Sequence, residues 1–353
     1  MNNWENYVRK VVPYVPGEQP AGENIIKLNT NENPYPPAPG VAKALQDMNA
    51  GKLRKYPDPT CKILVDAIAK NYGLNSNQVF VGVGSDDVLA MIFMTFFNSD
   101  MPILFPDITY SFYDVWADML RIPYDKKPLD NQFQIIKEDY YGKNGGIIFP
   151  NPNAPTGIYL PLSEVEDIIK HNQDVIVVID EAYIDFGGTS AISLIDKYEN
   201  LLVVQTFSKS RSMAGMRIGY AMGNEKLIRY INDVKYSFNS YTMDETALVL
   251  GVEAIRDKEY FEGTCQRIIA TREWTKEELR KLGFSFGDSK SNFIFASHAR
   301  IPAKELFEAL KKEGIYVRYF NKPRINNYLR ISIGAEEEMQ ELVKFLQKYI
   351  ECI

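Results

Sequence analysis

The chain has 353 residues, 45% apolar and 24% charged, the balance of a soluble globular protein with enough length for a sizeable core. At about 150 residues per domain, that length predicts two domains. Forty Lys and Arg against forty-six Asp and Glu leave a formal charge of −6, which excludes the basic footprint of a nucleic-acid binder.

The opening Met1-Asn2-Asn3-Trp4-Glu5 lacks a basic region followed by an apolar one, so no secretory signal is expected. Residues 1–35 read as an extended arm, because Asn29-Thr30-Asn31-Glu32-Asn33-Pro34-Tyr35-Pro36-Pro37 cannot form a regular helix or a central strand. Helical patterning begins at Val41, and a second helix closes at Tyr72 before Gly73. Val79 to Gly84 is a short strand running into Ser85-Asp86-Asp87, which start an apolar helix ending near Phe97. Ile103-Leu104-Phe105 is the next strand, with a helix from about Tyr110. Gly146 to Phe149, Val175 to Ile179 and Leu201 to Gln205 are continuous apolar runs, the pattern of parallel strands covered on both faces. Strands alternating with helices imply a doubly wound α/β domain over residues 36–235, with ligands at the carboxyl ends of the strands. Residues 236–353 change character. A helical stretch from Met243 to Leu282 precedes two half-exposed strands, Phe293 to Phe295 and Leu329 to Ile333, in a smaller α+β domain. No apolar run reaches the roughly eighteen residues needed to span a bilayer, so no membrane partner is expected. Cys61, Cys265 and Cys352 are odd in number and far apart, which points to free thiols and a cytoplasmic protein. With only His171 and His298 present, no metal site is expected, and acid–base work falls to Lys, Tyr, Asp or Glu.

Three strand ends carry polar groups. Gly82-Val83-Gly84-Ser85 offers free backbone N–H groups at a helix start, a seat for an anion, although Asp86 and Asp87 demand a cation from elsewhere. Asp180-Glu181-Ala182-Tyr183 follows one apolar run, and Thr206-Phe207-Ser208-Lys209 follows the next, with Arg217 eight residues beyond the lysine. Taken singly these are a tight turn, a helix cap and a solvated lysine. Together they meet the needs of a lysine Schiff base to pyridoxal phosphate. An amine must form the imine, and a carboxylate must keep the pyridine nitrogen protonated. An arginine and hydroxyls must hold the phosphate.

In these residues the chain resembles the fold-type-I aminotransferases and, among them, those acting on histidinol phosphate. The likeness covers nearly the whole chain. It rests on the series Asp180, Lys209, Arg217, on Val12-Pro13-Tyr14-Val15-Pro16-Gly17 with Leu28 to Pro34, and on Tyr316-Val317-Arg318 with Leu329 to Gly334. The resemblance implies that Lys209 bonds to the cofactor, Asp180 pairs with the pyridinium and Tyr183 contacts the ring oxygen. It places Thr206, Ser208 and Arg217 on the phosphate beside the backbone of Ser85 and Asp86, and stacks Tyr110 on the ring. Tyr56 is implied to reach the cofactor of a neighbouring subunit in a homodimer. One position departs from the family pattern, since Ala154 stands where an asparagine precedes Pro-Thr-Gly. Either Asn153 substitutes for it, if the loop shifts, or Tyr183 carries the contact alone. Arg330 matches the arginine that pairs with an α-carboxylate, as glutamate or 2-oxoglutarate requires. Arg318 matches the reader of a substrate phosphate, with Tyr14 and Asn31 beside it, and Arg324 competes for that assignment. An aromatic-amino-acid aminotransferase and a threonine-phosphate decarboxylase remain alternative readings of the same scaffold.

Overall fold

The computed structural model describes residues 3–22 and 25–352. The apolar runs build a seven-stranded sheet of β1 (Val79–Gly82), β2 (Ile103–Pro106), β3 (Tyr124–Lys127), β4 (Ile147–Pro150), β5 (Val177–Asp180), β6 (Leu201–Thr206) and β7 (Gly219–Gly223). Their order across the sheet is β1-β7-β6-β5-β4-β2-β3, and only β7 runs antiparallel to its neighbours. Alternation along β5 sends Val177 and Ile179 to one face and Val178 to the other. The first face packs on Leu64, Ile68, Val165 and Ile168, and the second on Val88, Ile92, Phe93 and Trp116. Both faces are covered, which is why β4, β5 and β6 read as unbroken apolar runs.

Two strands of this sheet lacked a sequence signal. In β3, Tyr124-Asp125-Lys126-Lys127 is charged because it is a sheet edge, where lysines discourage pairing with another chain. In β7, glycines at both ends interrupt the apolar pattern.

A second, antiparallel sheet holds β8 (Phe284–Phe286), β9 (Phe293–His298), β10 (Arg318–Tyr319) and β11 (Leu329–Ser332) in the order β10-β11-β9-β8. The expectation of half-exposed strands is corrected here. Ile294 and Ile331 pack with Ile268, Leu306 and Leu342 from the covering helices, while Phe295 faces the other way into Ile108, Leu129 and Ile325. The expected helical stretch is likewise two helices, Glu245–Arg256 and Lys258–Lys281. The carboxylate of Asp257 separates them and caps the second by accepting the Tyr260 N–H at 3.0 Å. The first of these helices packs in the core of the large sheet through Ala247, Leu248 and Ile255. The second joins the core of the small sheet through Cys265, Ile268 and Leu279.

The arm ties the two sheets together. The Arg9 guanidinium donates to the Met119 carbonyl at 2.8 Å, and the Tyr14 ring stacks on Phe112 with centroids 4.3 Å apart. Ile26–Lys27 then pairs in parallel with Ile315–Tyr316. Among the described residues no helix is long and apolar enough to cross a membrane.

The carboxyl ends of β1, β4, β5 and β6 lie on one edge of the sheet, where antiparallel β7 starts against the helix Gly84–Phe96. Gly84 has φ +84°, and a Cβ at Gly219 would stand 2.2 Å from the Ser85 nitrogen. Only glycine leaves that helix start in place. Gly219→Ala is therefore expected to lower stability by about 1–3 kcal/mol, the range for overpacking, and to weaken anion binding at the helix start. Thermal unfolding with and without inorganic phosphate measures both effects, and an alanine variant indistinguishable from the parent would contradict this packing.

Candidate active site

A cavity of about 540 Å³ opens at that edge, lined by the strand ends, the arm and the small sheet. Lys209, three residues past β6, lines it with a half-buried side chain. Its Nζ donates to the Thr30 carbonyl at 3.2 Å and lies 5.9 Å from the centre of the Tyr183 ring. Burial, reinforced by the positive charge of Arg330, brings its pKa down to about 8.

Asp180 ends β5 and is 4% exposed. One carboxylate oxygen accepts the Tyr113 hydroxyl at 2.9 Å and the other the Ala182 N–H at 3.2 Å. Burial pushes its pKa up to about 6 despite both bonds. The next residue, Glu181, turns the opposite way. It accepts hydrogen bonds from Ser190, the Ala191 N–H and Gln205, and does not line the cavity. Tyr183 does line it, and its hydroxyl accepts from the Asn31 amide at 2.9 Å.

The anion seat has the cation its carboxylates required. Arg217 reaches Asp86 with 3.4 Å between nitrogen and oxygen, and the Tyr110 hydroxyl donates to the other Asp86 oxygen at 2.6 Å. Asp87 accepts the Val83 N–H at 2.9 Å and is absent from the cavity wall. The hydroxyls of Thr206 and Ser208 stand 3.0 Å apart on the same wall as Ser85.

Opposite this seat, two arginines share the cavity. Arg330 on β11 donates to the Asn29 carbonyl at 2.8 Å, and its buried Nε has no partner. Arg318 on β10 contacts the arm through the Val15 carbonyl at 3.4 Å. The Phe320 ring lies 5.6 Å from the Arg318 guanidinium and 5.7 Å from that of Arg330. Burial pulls the Arg330 pKa down, and the charge of Arg318 adds to that shift. Two close cations with open donor positions form a site for an anionic ligand. Tyr14 and Asn31 complete this side.

Three further residues named in the sequence reading lie outside the cavity. Asn153 is buried and its amide donates to the Ile108 carbonyl at 2.9 Å and to Thr156 at 3.2 Å; Ala154 lines the cavity instead. Of the two alternatives, Asn153 faces away from the cavity and Tyr183 faces it. Arg324 is held by Asp107 at 2.8 Å and by the Leu129 and Asp130 carbonyls, so Arg318 is the one of the two that reaches the cavity. Tyr56 is 82% exposed, packs on Tyr241 with centroids 4.7 Å apart, and does not line the cavity of its own chain. Sequence reasoning missed Tyr113, Phe112 and Phe320. The spacing of Tyr110 and Tyr113 was the available signal for the first, whereas nothing local marks the other two.

The wall thus offers an amine able to be neutral near pH 8, a buried carboxylate with no cation paired to it among the described residues, and a cluster of N–H, hydroxyl and guanidinium donors. These complement an electrophile, a protonated ring nitrogen and a phosphate.

Residues 23–346 match the family model described as aminotransferase class I and II. A histidinol-phosphate aminotransferase of Clostridium acetobutylicum is 52% identical over 350 residues, 99% of each chain. One of Lactococcus lactis subsp. cremoris is 49% identical over 349 residues, 99% of this chain and 98% of that one. The fold is shared with the crystal structure of histidinol-phosphate aminotransferase from Sinorhizobium meliloti in complex with pyridoxal-5'-phosphate. That likeness has a TM-score of 0.84 at 22% identity and covers 93% of this chain and 91% of that one.

The lowered pKa of Lys209 has a direct consequence. Near neutral pH a far larger share of this amine is neutral than of a lysine at its ordinary 10.5. Competitive acylation with a neutral reagent, mapped by mass spectrometry, is expected to give Lys209 a half-maximal rate near pH 8. Titration of Lys209 with the surface lysines near 10.5 would contradict the geometry.

Proposed function

The chain belongs to the class I and II aminotransferases, and on that premise we propose that it moves an amino group between histidinol phosphate and 2-oxoglutarate, giving imidazole acetol phosphate and glutamate in histidine biosynthesis. Supporting the substrate are relatives near 50% identity that carry that name. The observation that carries the reading is the pair Arg318 and Arg330, facing one cavity with Lys209 and Asp180. We assign the protein to the cytoplasm.

Pyridoxal phosphate, the cofactor of this family, supplies when bound an aldehyde and an electron-withdrawing ring. Lys209 would hold it covalently, and the Lys209 Nζ, when free, would be the base that takes the proton from the substrate Cα. Asp180 would keep the ring nitrogen protonated, a role suited to a buried acid with no other cation. Tyr183 would contact the ring oxygen, and Tyr110 the ring face. Thr206, Ser208, Arg217 and the N–H groups at Ser85 and Asp86 would hold the phosphate. Arg330 binds the α-carboxylate of glutamate through its open Nε edge. Arg318, with Tyr14 and Asn31, binds the phosphate of the other substrate.

The active form in this proposal is a homodimer. Tyr56 is exposed beside exposed Tyr241, and Phe238 and Tyr236 of the same region are exposed as well. A second copy would cover this aromatic surface and bring Tyr56 to the neighbouring cofactor phosphate.

The purified protein with pyridoxal phosphate and 2-oxoglutarate is expected to release glutamate from histidinol phosphate in strong preference to phenylalanine or threonine phosphate. Arg318→Ala should raise KM for histidinol phosphate roughly 30- to 150-fold, the equivalent of about 2–3 kcal/mol for a lost charged hydrogen bond, and leave 2-oxoglutarate much less affected. Arg330→Ala should weaken 2-oxoglutarate by a similar factor. Preference for phenylalanine, or equal loss for histidinol phosphate and phenylalanine in Arg318→Ala, would overturn the substrate assignment.

A further inference from the structure

Asp180 is buried at the end of β5, where the Asp86 carboxylate opposes its charge from the helix Gly84–Phe96. The Tyr110 and Tyr183 phenols share the cavity from the two flanking loops, and burial keeps both neutral. Among the described residues no lysine or arginine bonds to it. Its two hydrogen bonds come from the Ala182 N–H at 3.2 Å, which belongs to its own turn, and from the Tyr113 hydroxyl at 2.9 Å. Tyr113 is 0% exposed on the helix Phe112–Leu120. Its ring is fixed by Phe93, Phe105, Tyr110 and Trp116, with centroid distances of 6.3, 5.9, 5.8 and 6.4 Å. Packed in that way, the hydroxyl has no acceptor among the described residues other than the Asp180 carboxylate. A phenol donates this bond far better to a carboxylate than to a carboxylic acid, so it favours the charged form.

We propose that Tyr113 is a positioning residue that holds Asp180 in its carboxylate form and fixes the orientation in which that carboxylate meets a cationic ring. The proposal rests on the reading of Asp180 as partner of a protonated ring nitrogen. Tyr113 touches neither cofactor nor substrate in this account; it acts through Asp180 alone. Its place in the fold explains an otherwise odd choice. Phenylalanine would fill the same aromatic layer, and only the hydroxyl distinguishes tyrosine there.

The test uses the 353-residue chain freed of cofactor and, as probe, 4′-deoxypyridoxine 5′-phosphate, which has the ring nitrogen and phosphate but no aldehyde. Its affinity, read by fluorescence, should fall at low pH as Asp180 takes up a proton. The phosphate of the probe titrates identically against every variant, so the difference between variants is the readout. Tyr113→Phe is expected to move the acid break of the affinity profile up by about one unit, because the carboxylate loses its main donor. Replacement of Tyr113 by 3-fluorotyrosine, a stronger donor of nearly the same size, is expected to move the break down, and this arm decides the matter if the phenylalanine variant fails to fold. Asp180→Asn should abolish the break. Unmoved breaks in both Tyr113 variants, with the break lost in Asp180→Asn, would overturn the role of Tyr113. An Asp180→Asn profile identical to that of the parent would instead overturn the reading of Asp180 on which the proposal stands.

Discussion

Asp180 and Lys209 end or follow adjacent parallel strands, and each lines the cavity without an ion pair among the described residues. Burial works against the charge of both, raising the acid and lowering the amine. Such an arrangement is costly in an isolated protein and becomes favourable when a bound group supplies what each lacks. The rest of the architecture serves that pair. Helices cover both faces of the sheet so that the strand ends stay rigid, β7 returns antiparallel to close the anion seat, and the arm places the Thr30 carbonyl on the lysine.

The second electrical feature is an excess of positive charge on the substrate side. Arg330 and Arg318 both lie near the Phe320 ring, 5.7 and 5.6 Å from its centre, and keep donor positions open toward the cavity. The net charge of −6 gives no hint of this, because it sums 40 basic and 46 acidic residues wherever they lie. Charge summed over a chain describes its solubility, and the field inside a cavity depends on a few side chains.

Much of this was legible in the sequence, for reasons that differ from element to element. Continuous apolar runs identify β4, β5 and β6 because strands buried on both faces admit little else. The residues after them show their chemistry because strand ends are where the fold exposes backbone and side chains together. What stayed hidden depends on partners distant in sequence. Phe295 looked half-exposed until Ile108, Leu129 and Ile325 covered it. Asn153 looked available until the Ile108 carbonyl and Thr156 claimed its amide. Arg318 and Arg324 are six residues apart and compete in the sequence; Asp107 and the Leu129 and Asp130 carbonyls hold Arg324 away from the cavity. Tyr113 belongs to the same class, since its meaning lies in a bond to a residue sixty-seven positions away.

The central claim is that one amine, set apart from the other lysines by its cavity, carries the cofactor. It is tested most directly by incubating the protein with pyridoxal phosphate, reducing with borohydride and mapping the adduct by peptide mass spectrometry. A single reduced adduct on Lys209, absent from Lys209→Ala, is the expected result. An adduct on any other lysine, or none, would contradict the account.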